Sequence, residues 1–288
     1  MKLFDAKFGL FVFLFIGIFG FLSLIRPAST AVNTNTTVLY DATQGGLPAS
    51  QNMSYASYGE GFVPTSSTQT FTNGATVLDS TAKRGDYAGY GVDPAEAGTY
   101  DAADGFGMAF TVRIEEEAYT DTERSGFSII LLDKNAIGIE IGFHEDTVYA
   151  REGNGTDLFD VAESVTFDTT TETTYYLEII DDSYTLTATG MPTLTGSTRD
   201  YSDNPDPPFN IPDPYEQPNF VFLGDNTTRA EAIIHLKYVA ILTDTVAPTP
   251  TATHTATATA TSTPDPDDPG AEATPEAIES YLPLITKP

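Results

Sequence analysis

Two carboxylates and an imidazole stand within six residues in Glu140-Ile141-Gly142-Phe143-His144-Glu145, the stretch of this chain best equipped to do chemistry. Period-two alternation puts Ile137, Ile139, Ile141 and Phe143 on one face of a strand, and Gly138, Glu140, Gly142 and His144 on the other. The second face carries little bulk, so a ligand rather than core is expected against it, with Glu140 and His144 as binding residues. A carboxylate pair could instead hydrolyse a glycosidic bond, and the candidates are Glu140 and Glu145. Retaining hydrolysis needs its two carboxylates roughly 5–5.5 Å apart on one face. Residues five apart in a strand fall on opposite faces unless a β-bulge intervenes. A binding role for Glu140 is therefore preferred to catalysis, and Glu140→Gln is expected to leave the fold intact.

Other candidates lie further along the chain. The Pro-rich loop from Asp200 to Pro218 carries Tyr201, Phe209 and Tyr215 among carboxylates. Exposed rings beside acceptors suit sugars, whose C–H faces stack on aromatics while their hydroxyls bond to oxygen. The same rings could simply pin the loop to the domain. Gly224-Asp225-Asn226-Thr227-Thr228-Arg229 is rich in oxygen ligands, and with Asp203 it leaves Ca²⁺ open as a cofactor, Asp225, Asn226 and Asp203 being the metal candidates. No EF-hand spacing is present, and an ordinary Asx-turn at Asp225 explains the residues without metal. Arg124 and Arg229 are expected to pair with carboxylates, Asp225 among them. His144, His235 and His254 are scattered, which argues against a histidine metal site or a catalytic triad.

These residues need a scaffold of strands to position them. Ser125–Asp133, Ile137–Glu145 and Thr147–Arg151 read as a three-stranded meander with turns at Lys134-Asn135 and Glu145-Asp146. The first is apolar on both faces, which predicts a central strand covered on both sides. Short alternating segments continue from Thr36 to Leu242, with further strands expected at 37–42, 75–79, 87–92, 105–115, 173–181, 183–189, 192–201, 219–224 and 231–242. No amphipathic helix interrupts them. The fold class predicted is all-β, a two-sheet antiparallel jelly-roll sandwich spanning 32–244.

Composition bounds the partners and the compartment. Thirteen Lys+Arg against 41 Asp+Glu leave a formal net charge of −28, which excludes nucleic acid as a partner because that affinity rests on basic patches. No cysteine is present, so disulfides, thiolate metal sites and a Cys nucleophile are excluded. Residues 1–31 read as a signal peptide, with Lys2 and Lys7, an apolar run from Phe8 to Ile25, and a small-residue site ending at Ala31. An uncleaved membrane anchor is the rival reading. Residues 245–277 are a Thr/Pro-rich tract that cannot offset its own ordering entropy, a disordered stalk. Apolar residues return at 278–288, a surface-attachment or sorting handle.

Several phrases together resemble exported bacterial domains of the variable-anchor ("choice-of-anchor") type, with a concanavalin A-like jelly roll of the lectin/glucanase kind. They include VLYDATQGGLPAS at 38–50, RSGFSIILL at 124–132, GIEIGFHEDTVYA at 138–150, LTGSTRDYS at 194–202 and NFVFLGDNTTRAEA at 219–232. The Thr/Pro tract with YLPLITKP resembles the endings of exported Chloroflexi-type proteins. The resemblance implies a fold and an address, and no established activity. Residues 140–145 also resemble a degraded laminarinase-like glucanase motif in which Gly142 replaces the intervening Asp. The function expected is a secreted or surface-displayed, non-catalytic module binding extracellular glycan or a cell-surface component, touching membrane only through its signal segment or handle. A retaining glycoside hydrolase using Glu140, or a purely structural surface protein, is the alternative.

Overall fold

Alternation of apolar and polar residues decides the architecture. In the computed structural model, which describes residues 34–92, 98–153, 160–203 and 213–244, it produces sixteen strands and no α-helix among the described residues. The expected signal segment, stalk and handle, and Phe209, lie outside the described residues. The strands form two eight-stranded antiparallel sheets. The first runs β13 (Leu194–Ser197), β12 (Ser183–Ala188), β11 (Thr173–Ile180), β6 (Phe106–Tyr119), β16 (Ala230–Asp244), β4 (Ala75–Asp79) and β3 (Thr68–Thr72), with β1 (Thr34–Asp41) also paired to β16. The second runs β10 (Val161–Thr166), β9 (Thr147–Arg151), β8 (Ile137–Phe143), β7 (Ser128–Leu132), β15 (Val221–Asp225), β5 (Asp86–Gly91) and β2 (Ser54–Gly59), with β14 (Arg199–Asp200) also paired to β8. The chain crosses from one sheet to the other after β1, β2, β4, β5, β6, β10, β13 and β15, which makes this the expected all-β jelly-roll sandwich.

The core lies between the sheets. Phe106, Met108, Phe110, Val112 and Ile114 enter it from β6, and Ile139, Ile141 and Phe143 enter it from β8. Phe143 sits among three rings, edge-on to Phe110 at 5.8 Å and to Tyr175 at 5.2 Å, and tilted against Phe127 at 5.4 Å. Every residue of β7 is buried. Ile129 and Leu131 face the main core, while Ile130 and Leu132 join Tyr201 and Tyr215 in a second cluster on the outer side of the same sheet. The two-sided burial expected of this strand is therefore present.

Three strands were not expected from the sequence: β2, β3 and β10. All three are sheet edges, and most of their residues are exposed or half-buried. An edge strand with little to bury has no apolar alternation to reveal it. The single strand expected over 192–201 is in fact two, because the chain leaves the first sheet after Ser197 and enters the second at Arg199.

Candidate functional site

β8 positions the central carboxylate. Its odd-numbered apolar residues enter the core, so Glu140 is forced to the outer face of the second sheet between Gly138 and Gly142. On β9, Val148 and Ala150 also face the core, which sends Tyr149 and Arg151 to that same outer face. Ile141 pairs with Ala150, and continuing that register sets Arg151 opposite Glu140. Arg151 Nε donates to Glu140 Oε1 at 2.8 Å, and neither residue has any exposed surface. Asn226 Nδ2 donates to the same oxygen at 3.0 Å, and the Tyr215 hydroxyl donates to Oε2. Tyr201 ties the two strands together: its hydroxyl accepts from the Glu140 amide at 3.0 Å and donates to the Arg151 carbonyl at 3.2 Å.

Electrostatics hold the cluster in one state. Burial works against the Arg151 charge, but the facing Glu140 carboxylate outweighs it and keeps the guanidinium firmly protonated. Burial first, then the Glu140 charge, pushes the Tyr215 hydroxyl well up, so it remains a donor. Arg151 also donates to the Glu123 carbonyl, and its guanidinium carbon stands 5.3 Å from the Tyr149 ring centre. Glycine at 142 is required by that ring, since a Cβ there would lie 2.4 Å from Tyr149 Cζ. The glycine does not open a ligand space as expected; Tyr149 and Ser125 fill it.

His144 follows on the same face, only 6% exposed. Its Nδ1 lies 2.8 Å from Glu117 Oε1 and its Nε2 3.0 Å from the Thr122 carbonyl. Both partners are acceptors, so both ring nitrogens must donate and the ring is an imidazolium. Burial alone would discharge it, but the Glu117 bond and charge prevail and the His144 pKa is raised. A raised pKa contributes stability that is fully present below the unfolded value, about 6.5, and lost as pH rises through the folded value. Wild-type protein should therefore lose thermal stability above about pH 6.5, and His144→Gln should flatten that decline. Parallel melting curves for the two proteins across neutral to alkaline pH check this. Identical slopes would refute the imidazolium.

The remaining expected site residues are dispersed. Glu145 is exposed in the β8–β9 turn, and the β8–β9 register is unbroken, so no bulge returns it to the face of Glu140. Of the two roles open to Tyr201 and Tyr215, stacking on a sugar as exposed rings or pinning the loop to the domain, they take the second: they are 0% and 6% exposed, covering the apolar outer residues Ile130 and Leu132. Asp225 faces the core, where Ser80 Oγ donates to it at 2.6 Å and the Thr227 amide at 3.1 Å, an Asx-turn. Burial pushes its pKa well up. Asn226, the next residue, points to the opposite side of the sheet at Glu140, so the two cannot share a cation. Asp203 is exposed, and no group of three or more His, Asp or Glu able to hold a metal occurs among the described residues. Arg229 pairs with Asp121 at 2.7 Å rather than with Asp225.

Arg151 and Glu117 were missed by sequence reasoning. The signal for Arg151 was present: period two along β9 places it on the outer face once Val148 and Ala150 are given to the core. Glu117 carried no such signal, since it comes from the far end of β6 in the other sheet.

No protein-family model matches the chain, and no curated protein matches it. Among solved structures it is similar to the carbohydrate esterase vb_24B_21 from Shiga toxin-encoding bacteriophage phi24B, with a TM-score of 0.48 and 13% identity over 73% of this chain and 100% of that one. It is similar also to alginate lyase A1-II′, at TM-score 0.43 and 12% identity over 70% and 98%. A third is the exoplasmic/lumenal domain of VIP36 in its Ca²⁺/Man3GlcNAc-bound form, at TM-score 0.42 and 9% identity over 74% and 90%. Likeness at this level transfers neither ligand nor activity.

Proposed function

We propose that this chain is an exported, surface-displayed, non-catalytic jelly-roll module that binds extracellular glycan. The observation that carries the non-catalytic reading is the state of Glu140. Its two oxygens take three donors from Arg151, Asn226 and Tyr215, and it has no exposed surface on which a sugar could be attacked. A carboxylate acting as nucleophile or acid needs access to substrate and a second carboxylate on its face; Glu145 does not supply one. Export and display are supported by the composition of 1–31 and of 245–288, which also agree with an anchor-bearing surface protein. The acidity of the chain supports an uncharged or hydroxyl-rich partner over a polyanion.

A glycan array probed with the mature full-length chain, with and without Ca²⁺, tests the proposal beside a reducing-end assay on β-glucan and alginate. The expected result is retention on a subset of glycans and no release of reducing ends. Release that tracks the purified protein would overturn the non-catalytic reading. Retention on no glycan under either condition would favour the purely structural role.

A further inference from the structure

The first sheet has an outer face that the Glu140 cluster does not touch. On β11, Tyr176, Glu178 and Ile180 project outward, and Tyr176 and Ile180 are 52% and 41% exposed, more than most large apolar side chains need to be. Strand register sets Thr187 opposite Tyr176 and Thr185 opposite Glu178 on one side, and Ala109 and Gly107 opposite them on the other. Leu242 of β16 lies across from Gly107. Tyr176, Glu178, Thr185, Thr187, Gly107 and Leu242 line a depression of about 240 Å³, with Tyr176 as one wall and Leu242 on the far side. Gly107 forms the floor. No side chain can fill it, because a Cβ there would lie 2.2 Å from the Leu177 carbonyl oxygen.

Two of the three polar side chains around this depression are not used by the described residues. Neither the Glu178 carboxylate nor the Thr187 hydroxyl has a hydrogen-bond partner among the described residues. Thr185 reaches only Thr195, at 3.3 Å. This is the reverse of the arrangement around Glu140, where aromatic hydroxyls and the carboxylate satisfy one another behind a closed surface.

We propose that the depression is a subsite for a neutral saccharide, an inference that rests on the glycan-binding reading and gives it a place. One face of a sugar ring is C–H and stacks on an aromatic; its rim is hydroxyl and donates to unpaired acceptors. Tyr176 supplies the ring, Glu178 the charged acceptor, and Thr185 and Thr187 hydroxyls that both donate and accept. Charge decides the class of sugar. Glu178 stands in the depression, no Lys or Arg lines it, and the chain carries a net charge of −28, so a uronate or sulfated saccharide is repelled.

The sequence contains no tryptophan, so Tyr176→Trp makes a single fluorescent reporter in the subsite. Titration of the full-length variant with cellohexaose, laminarihexaose and mannohexaose should give a saturable emission change for at least one, and alginate oligosaccharides should give none. For wild type, calorimetry with the responding hexasaccharide should show binding that Tyr176→Ala and Glu178→Gln each weaken about tenfold. Both side chains are exposed, so melting temperatures should stay within a degree or so of wild type and exclude misfolding as the cause. Wild-type binding unchanged by either substitution would put the sugar elsewhere, overturning the subsite while leaving the glycan-binding reading in place. Binding of alginate alone, or of none of the three neutral hexasaccharides, would also overturn the subsite, and retention on the wider array then decides the broader reading separately.

Discussion

Arg151→Ala is expected to destabilise the protein by about 3–5 kcal/mol, since removing one member of a buried ion pair leaves the other charge uncompensated. The pair has no exposed surface, and its attraction is not screened by solvent. The substitution also removes the donor to the Glu123 carbonyl and takes from Glu140 one of its three hydrogen-bond donors, leaving those of Tyr215 and Asn226. Chemical denaturation read by circular dichroism measures the loss. Glu140→Gln should be costly for the same reason, because it strands Arg151. This corrects the expectation that it would leave the fold intact, which assumed an open face rather than a closed cluster. The double variant Glu140→Leu/Arg151→Met should recover part of the loss, since two matched apolar side chains carry no buried charge. A loss below about 1 kcal/mol for Arg151→Ala would place the pair in solvent and contradict the closed cluster.

Phe143→Ala should cost a comparable amount, about 3–5 kcal/mol, for an unrelated reason. Phe143 shares β8 with Glu140 but faces the other way, wedged among Phe110, Phe127 and Tyr175 where the two sheets meet. Truncation leaves a cavity between rings anchored on β6, on β11 and on the segment leading into β7, and rings so anchored cannot collapse into it. Phe143→Leu keeps more of the volume and should cost less than half as much. The two losses should add in an Arg151→Ala/Phe143→Ala protein if the faces of the sheet act independently, and equilibrium unfolding of the single and double variants tests it. A Phe143→Ala protein as stable as Phe143→Leu would mean that the inter-sheet core repacks freely.

Much of the fold was legible in the residues. The apolar alternation of β6 and β8, and the two-faced apolarity of β7, fixed which strands are central and which side chains meet between sheets, because burial at period two is a local property. Edge strands such as β3, with Thr68, Thr70 and Thr72 on a wet surface, left no such trace. The switch of sheets between Ser197 and Arg199 was equally hidden, since nothing local marks which sheet a short strand joins.

For the site, the sequence by itself determined that Glu140 leaves the core and, having no cysteine, that no thiolate takes part, and it favoured an Asx-turn at Asp225. Only the tertiary structure decided what Glu140 does there. Arg151 comes from the next strand, Tyr201 and Tyr215 from a loop more than sixty residues on, and Asn226 from β15's end. A carboxylate on an outer face reads the same in a sequence whether it meets water, a sugar or a guanidinium. Its partners are chosen by strand register and loop closure, which bring together residues far apart in the chain, and that choice turned an apparent ligand face into a sealed structural cluster.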